Sequence, residues 1–228
     1  MKRIKKWQAI LIAAVVICVC VTGFGSVYLT NAYLTDKHSV SNTFTIGDLL
    51  IDLKEPAWEG LPDKDGDGVP DIADGILPNT TVPKDPTVIH ISGVSAYIYL
   101  EVTVPREDLQ LVENQSMVTS PQLMDVYQYV INDGWTEISR QVSDKESKYL
   151  YAYTNKELSV GEKTIPLFNE VYYPNVLEGT LPEGEHQNIQ IKAYAIQSKY
   201  LDVIQGDVTE KMTKAFKLYW TQRGDGGQ

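Results

Sequence analysis

Cysteine and basic residues are scarce in this chain of 228 residues. Its two cysteines, Cys18 and Cys20, lie near the amino terminus, so a product without that region would contain no thiol. A disulfide framework and thiol catalysis are then excluded. Lys and Arg number 20 against 30 Asp and Glu, which gives a formal charge of -10. Because binding to a phosphate backbone needs clustered Lys and Arg, nucleic acid is not expected as a partner.

Motifs that mark common enzyme classes are missing as well. The sequence has no H-E-x-x-H zinc motif, no G-x-S-x-G nucleophile elbow and no glycine-rich phosphate loop. The three histidines, His38, His90 and His186, are far apart, and their spacing does not support a zinc site, although folding could bring two together. We interpret them as surface or strand residues and expect no enzymatic activity.

The first 32 residues have the pattern of a secretory leader. A basic segment is followed by an unbroken apolar run at residues 9–21, which is typical of a signal peptide and short for a membrane-spanning helix. The alternative extends the run to Leu29 and keeps the leader as an uncleaved anchor. We expect export with cleavage, so residues 1–32 are predicted to be a signal peptide and only the uncleaved leader to contact the membrane.

Cleavage is predicted between Ala32 and Tyr33. Thr30 and Ala32 supply the small side chains that a signal peptidase accepts before the scissile bond. The exported product would begin at Tyr33 and would be extracellular or attached to the cell surface.

Alternation of apolar and polar residues dominates after residue 40 and predicts β-strands. In residues 95–104 every second side chain is apolar, while Tyr97 and Tyr99 fall on the opposite face. Gly, Pro, Asn and Asp separate such runs. Further runs are residues 49–53, 126–131, 135–142, 148–154, 164–168 and 189–195. We predict an all-β fold, an antiparallel jelly roll or β-sandwich over residues 33–220.

One segment, residues 207–220, has helical periodicity. Asp207, three residues before Glu210, predicts the amino-terminal cap. The apolar positions of the helix are Val208, Met212, Ala215, Phe216 and Tyr219. We expect this one carboxyl-terminal helix to pack on the sandwich and residues 221–228 to form a flexible tail.

An aspartate-rich stretch, residues 63–74, is the most specific motif and is interpreted as an inserted calcium loop. Calcium takes about six to eight oxygen ligands, and alternate residues of a coiled loop turn inward on one ion. Gly68 permits the sharp turn. The predicted ligands are the carboxylates of Asp63, Asp65, Asp67, Asp71 and Asp74 and the backbone carbonyl of Val69.

This stretch is not an EF-hand, because Gly60 and Pro62 directly precede it and no helix can lead into it. It resembles the aspartate-rich calcium loops of thrombospondin type 3 repeats over these residues alone. The alternative interpretation is a solvated acidic turn.

A second resemblance covers most of residues 28–198. Short segments occur in the order and spacing of the TasA–camelysin family, the SipW-dependent exported proteins of Gram-positive bacteria. The matching segments are residues 32–36 (AYLTD), 42–47 (NTFTIG), 53–56 (LKEP), 84–88 (KDPTV), 96–98 (AYI), 193–197 (AYAIQ), and Trp135, Tyr151, Tyr153, Leu158, Gly161, Thr164, Leu167, Phe168 and Val171. The resemblance implies a jelly-roll-like sandwich, cleavage before Tyr33 by a dedicated signal peptidase and a role in biofilm matrix or fibres.

Three functions remain open from sequence. The first is a secreted, non-enzymatic, calcium-stabilised structural protein of a biofilm matrix or cell-surface fibre, which self-associates by adding residues 33–40 of one chain to the next as a strand. The second is a monomeric cell-surface adhesin whose tyrosine-bearing face binds a ligand. The third is a camelysin-like secreted metalloprotease, for which the sequence shows no zinc motif.

Overall fold

The computed structural model divides the chain into two units, Met1–Ser39 and Val40–Gln228. It describes residues 49–66, 70–73, 76–113, 116–117, 120–177, 188–200 and 204–222, all within the second unit. The predicted leader with its cleavage site at Ala32 and Tyr33 lies outside the described residues, as do residues 33–40. In the part of the chain that is described, no helix is long and apolar enough to span a membrane.

A five-stranded antiparallel sheet forms the centre of the described structure. Its longest strand, β4 (Ala96–Leu109), pairs with β11 (Gln190–Gln197) on one side and with β9 (Glu146–Tyr153) on the other. Strand β8 (Trp135–Val142) pairs with β9, and β7 (Gln122–Asp125) pairs with the last residues of β4. The predicted all-β, antiparallel sandwich with one carboxyl-terminal helix is confirmed.

Smaller elements complete the fold. The paired strands are β1 (Leu50–Lys54) with β3 (Thr87–Ser92), β2 (Thr80–Pro83) with β10 (Glu170–Tyr173), and β5 (Val112–Glu113) with β6 (Ser116–Met117). The helical elements are α1 (Pro56–Glu59), a 3-10 turn (Ser198–Tyr200) and α2 (Val208–Gln222).

The main core lies on the face of β4 that the alternation predicts to be apolar. Ile98, Leu100 and Val102 are fully buried there. They belong to one hydrophobic cluster with Ile51 of β1 and Val88 of β3, so the two-stranded β1–β3 sheet supplies the opposite layer. Burial of a large aliphatic side chain stabilises a fold by about 1.5–3 kcal/mol, so the contact between these two layers contributes several kcal/mol to stability.

Helix α2 covers the opposite face of the same sheet. Asp207 accepts a hydrogen bond from the backbone N–H of Glu210 at 2.8 Å, as the predicted cap requires. Met212 and Phe216 are buried against Tyr99 and its neighbours. Val208, expected on the apolar face, is 46% exposed, because the first turn of the helix extends beyond the sheet contact. The helix ends at Gln222, two residues beyond the predicted end.

Two predicted strands are wrong. Residues 126–131 make one isolated bridge, Gln128 with Tyr172, and residues 164–168 make backbone hydrogen bonds without forming a strand, for example Thr164 N–H to Val88 O at 2.9 Å. Their apolar side chains are nevertheless inside, and Val126 and Phe168 are fully buried. Alternation of apolar residues reports burial on one side of an extended chain, and it does not require a partner strand on the other.

Candidate functional site

The predicted calcium loop begins from a base that two polar contacts hold in place. Lys84 forms an ion pair with Glu55 at 2.7 Å, and its ammonium lies 4.3 Å from the centre of the Trp58 ring. Asp85 accepts a hydrogen bond from the N–H of Ala57 at 2.7 Å. These contacts hold helix α1 against the residues that follow β2. The helix ends at Glu59, before the loop, as expected for a loop that is not an EF-hand.

Backbone hydrogen bonds close the described part of this loop. The N–H of Asp71 donates to the carbonyl of Pro62 at 2.8 Å, which brings the two ends together. The Asp63 carboxylate accepts from the N–H of Gly66 at 2.7 Å, and Gly66 adopts φ 75°. Such a positive φ strains a residue with a Cβ, so glycine suits this turn.

Lys64 provides the cation nearest to one of the predicted calcium ligands. Its ammonium lies 2.6 Å from Asp71 Oδ2, and its backbone N–H donates to Asp71 Oδ1 at 2.9 Å. The side-chain hydrogen bond from Lys64 lowers the pKa of Asp71 and raises the pKa of Lys64. A calcium ion that uses Asp71 therefore has to displace this ammonium.

Only part of the predicted ligand set can be placed. Asp67, Val69 and Asp74 lie outside the described residues. Within the described ranges, no group of three or more His, Cys, Asp or Glu side chains is positioned to hold a metal ion. The six-ligand arrangement, which includes Asp63 and Asp65, stays a prediction.

His90 is a core residue of β3, in agreement with its interpretation as a strand histidine. It is fully buried, and its Nδ1 and Nε2 lie 3.1 Å and 3.0 Å from the carbonyl oxygens of Leu158 and Ser92. Both ring nitrogens therefore face backbone carbonyl oxygens inside the core. His38 and His186 lie outside the described residues.

The tyrosine-bearing face expected of an adhesin is covered. Tyr99 is fully buried beneath α2, packs on Phe216 with ring centres 5.1 Å apart, and donates a hydrogen bond to the carbonyl of Met212 at 3.1 Å. Tyr97 is half-buried. The expectation that Tyr99 points outward is wrong, because the alternation on β4 does not reveal that a distant helix packs there.

A different cluster of tyrosines lines an open cavity that sequence reasoning missed. We call it the tyrosine groove. It has a volume of about 670 Å³ and lies between β7, β8, β9 and the segment 127–131, with Tyr129, Tyr149 and Tyr151 along its wall. This volume falls within the range of about 300–1,000 Å³ that is usual for small-molecule sites.

Hydrogen bonds fix the phenol groups of the groove. The hydroxyls of Tyr129 and Tyr151 lie 3.0 Å apart, and Tyr149 donates to one oxygen of Asp125. Ser147 donates to the other oxygen of Asp125 at 2.6 Å. Burial raises the pKa of Tyr149 and Tyr129, and it raises the pKa of Tyr151 to about 12. All three phenols are therefore neutral near pH 7.

Two cations and two carboxylates face the same space. Arg140 donates two hydrogen bonds to Glu137, at 2.9 Å and 2.8 Å, and this pairing raises the pKa of the guanidinium. The guanidinium also lies 4.9 Å from the centre of the Tyr149 ring. Arg106 Nε lies 3.4 Å from Asp125 Oδ1. Each charge in the groove thus has a partner of opposite sign.

The rim of the groove is aliphatic. Val130 is 84% exposed, Val142 is 55% exposed, and Leu123 is partly exposed beside them. Residues of the groove come from four separate stretches of sequence, so no motif or spacing marks them. The one local signal is the repeat of tyrosine at Tyr149, Tyr151 and Tyr153, which places three aromatic rings on one face of β9.

Comparisons of the chain with protein-family models, with curated proteins and with solved structures return no match.

Proposed function

We propose that the chain is a secreted, non-enzymatic structural protein of an extracellular matrix or of cell-surface fibres. The secretory pattern of residues 1–32 and the resemblance of segments between residues 28 and 198 to TasA–camelysin proteins support this proposal. The antiparallel sheet of the described residues supports it as well, since such a sheet has edge strands. One observation carries it: within the described residues, β8 pairs with β9 on one side only. An edge strand of this kind is a template for a strand from another chain.

The direction of the free groups on β8 follows from its hairpin with β9. The N–H of Ser143 donates to the carbonyl of Glu146 at 2.9 Å. Hydrogen-bonded and non-hydrogen-bonded pairs alternate along an antiparallel ladder, so Arg140 and Val142 belong to non-hydrogen-bonded pairs. Their N–H and C=O groups therefore point away from β9, toward the outer edge.

Residues 33–40 of a neighbouring chain are the proposed added strand. Tyr33, Leu34 and Val40 give this arm apolar side chains that can dock on the partly aliphatic surface beside β8. The leader keeps the arm at the membrane until signal peptidase cleaves before Tyr33. The resulting contact is head-to-tail, and a head-to-tail contact that does not close into a ring produces a filament.

A proline substitution on the edge tests this assembly. Val142→Pro removes one outward N–H without breaking the β8–β9 ladder. A lost hydrogen bond costs about 1 kcal/mol, so we expect the concentration needed for filaments to rise about fivefold. Light scattering and electron microscopy of protein beginning at Tyr33 measure the effect.

Two further variants make this test specific. Val142→Thr keeps the N–H and the branched side chain and should assemble like the parent, whereas deletion of residues 33–40 should abolish filaments. Equal assembly of the Val142→Pro and Val142→Thr variants would show that β8 is not the acceptor edge. Equal assembly with and without residues 33–40 would show that the arm is not the donor.

We further propose that calcium stabilises the loop at residues 63–74. Titration calorimetry should give one site with a dissociation constant of about 10⁻⁴–10⁻³ M, because an Asp at the last position usually supplies one oxygen. Asp65→Ala should abolish both the heat and the rise in melting temperature, while Asp52→Ala outside the loop should not. Lys64→Met removes the competing ammonium and should tighten binding, whereas Lys54→Met should not. A parent chain that shows neither heat nor thermal shift contradicts the proposal.

The two alternative functions have less support. The adhesin hypothesis relied on an outward tyrosine face, and Tyr99 of that face is buried under α2. The metalloprotease hypothesis relies on the resemblance alone, since the sequence contains no zinc-protease motif.

A further inference from the structure

We propose that the tyrosine groove binds a neutral oligosaccharide. Sugar binding would need neither a second chain nor calcium, because one chain supplies every residue that lines the groove. The rim residue Val142 also belongs to the edge proposed to accept residues 33–40, so an added strand and a sugar would compete there.

The charges of the groove favour a ligand without net charge. Arg140 is paired with Glu137, and Arg106 lies beside Asp125, so the cations and anions balance. An acidic ligand would have to take an arginine from its carboxylate, and a cationic ligand would have to take a carboxylate from its arginine. The exchange is most costly at Arg106 and Asp125, whose side chains are 18% and 21% exposed, because it leaves a partly buried charge without its partner. Arg140 and Glu137 are 55% and 30% exposed, so the cost is smaller at that pair.

The polar groups of the groove favour a ligand with many hydroxyls. Tyr129 and Tyr151 can donate and accept through their hydroxyls, arginine only donates, and carboxylates only accept. Sugar hydroxyls both donate and accept, so they can satisfy all three kinds of group at once. An apolar ligand would remove water from these groups without replacing its hydrogen bonds.

The apolar surfaces of the groove suit the C–H faces of a sugar ring. Val130 and Val142 form an exposed aliphatic rim, and Tyr149 is half-buried on the wall. A site of this kind combines apolar walls with a few fixed polar groups that orient the ligand. The groove is also large enough for several linked rings rather than one, since its volume is about 670 Å³.

Three hexasaccharides of the same length and different charge test the proposal. Calorimetric titration of the purified full-length chain would use chitohexaose, which is neutral, hexaglucosamine, which is cationic, and hexagalacturonate, which is anionic. We expect chitohexaose to bind at least about tenfold more tightly than either charged hexamer, which corresponds to about one unpaired charge–hydrogen-bond contact.

Charge variants connect the preference to the groove. Glu137→Gln leaves Arg140 without its carboxylate and should weaken chitohexaose binding while favouring hexagalacturonate. Arg140→Gln should favour hexaglucosamine. Glu162→Gln and Lys156→Gln make the same charge changes at an exposed ion pair of 2.7 Å outside the groove lining, and they should change nothing. Melting temperatures of all four variants verify that they fold.

Several results would overturn the proposal. One is no binding of chitohexaose at its solubility limit, and another is binding of a charged hexamer as tightly as the neutral one by the parent chain. A third is an equal change in the affinities for chitohexaose and hexagalacturonate in the Glu137→Gln and Glu162→Gln variants. A synthetic peptide of residues 33–40 provides the last test, because binding that is lost in the Glu137→Gln variant would identify the groove as a peptide site instead.

Discussion

Tyrosines on the two faces of the central sheet are buried for different reasons. Tyr99 of β4 and Tyr151 of the neighbouring β9 are both almost inaccessible. Tyr99 lies under the apolar face of α2, and its hydroxyl donates a hydrogen bond to the backbone carbonyl of Met212. Tyr151 packs in the main core cluster, and its hydroxyl lies 3.0 Å from the Tyr129 hydroxyl at the wall of the tyrosine groove. The helix-covered face is arranged for stability, whereas the tyrosine groove keeps polar groups in a shape that a ligand can use.

The energetic contributions of the two regions should differ accordingly. Aromatic packing such as that of Phe216 on Tyr99 and Tyr194 adds to the burial of apolar area. Ion pairs such as Arg140–Glu137 are partly exposed and contribute at most about 1 kcal/mol. Loss of the helix contact should therefore damage the fold, and loss of a groove contact should mainly alter binding.

The largest expected effect comes from Phe216→Ala. The ring of Phe216 contacts Tyr99, Tyr194 and Trp220, with centre-to-centre distances of 5.1, 5.4 and 5.7 Å. Its removal leaves a cavity between helix and sheet, so the free energy of unfolding should fall by about 3–5 kcal/mol. Urea denaturation followed by circular dichroism measures this loss.

Leu218→Ala is the matched control on the same helix. Leu218 is exposed on the solvent side, so its truncation should change the free energy of unfolding by less than about 0.5 kcal/mol. Similar small losses for both variants would mean that α2 does not belong to the cooperative fold, and the contrast between the two sheet faces would disappear.

The sequence predicts the strands of the sheet better than it predicts which element packs on each face of the sheet. The strand-like runs of the sequence identify β8, β9 and β11, and alternation places Ile98, Leu100 and Val102 of β4 on the core face, because strand side chains alternate with a period of two. The period does not say which layer packs on the second face. The prediction that Tyr99 points outward is therefore wrong, although the helix that covers it is itself predicted from its periodicity and from the cap at Asp207.

The candidate sites show the same division. The aspartate-rich loop is found because its residues lie in one short stretch with a fixed spacing. The tyrosine groove is missed because Asp125, Glu137 and Tyr149 meet only after β7, β8 and β9 have paired. Local patterns identify sites within one loop, while sites built across strands depend on register, which one sequence does not specify.

A smaller effect on stability than that of Phe216→Ala is expected from the ionisation of Tyr151 in alkaline solution. Burial raises its pKa from 10.0 to about 12 in the folded chain. Because the folded pKa lies above the unfolded one, the neutral phenol stabilises the fold fully below pH 10, and this contribution is lost as pH rises toward 12. The loss between these two values should be roughly 2 kcal/mol, since each pKa unit corresponds to about 1.4 kcal/mol.

Ultraviolet titration of tyrosinate in the parent chain and in Tyr151→Phe measures this ionisation. The parent should show one more late-titrating phenol near pH 12 than the variant, and the stability of the variant should fall less between pH 10 and 12. Unfolding in guanidinium chloride is the control, because all tyrosines of the unfolded chain should titrate together near pH 10. If the folded parent and Tyr151→Phe differ instead by a phenol that titrates near pH 10, Tyr151 is open to solvent. The tyrosine groove would then lack the buried, neutral wall that distinguishes it from an ordinary exposed sheet face.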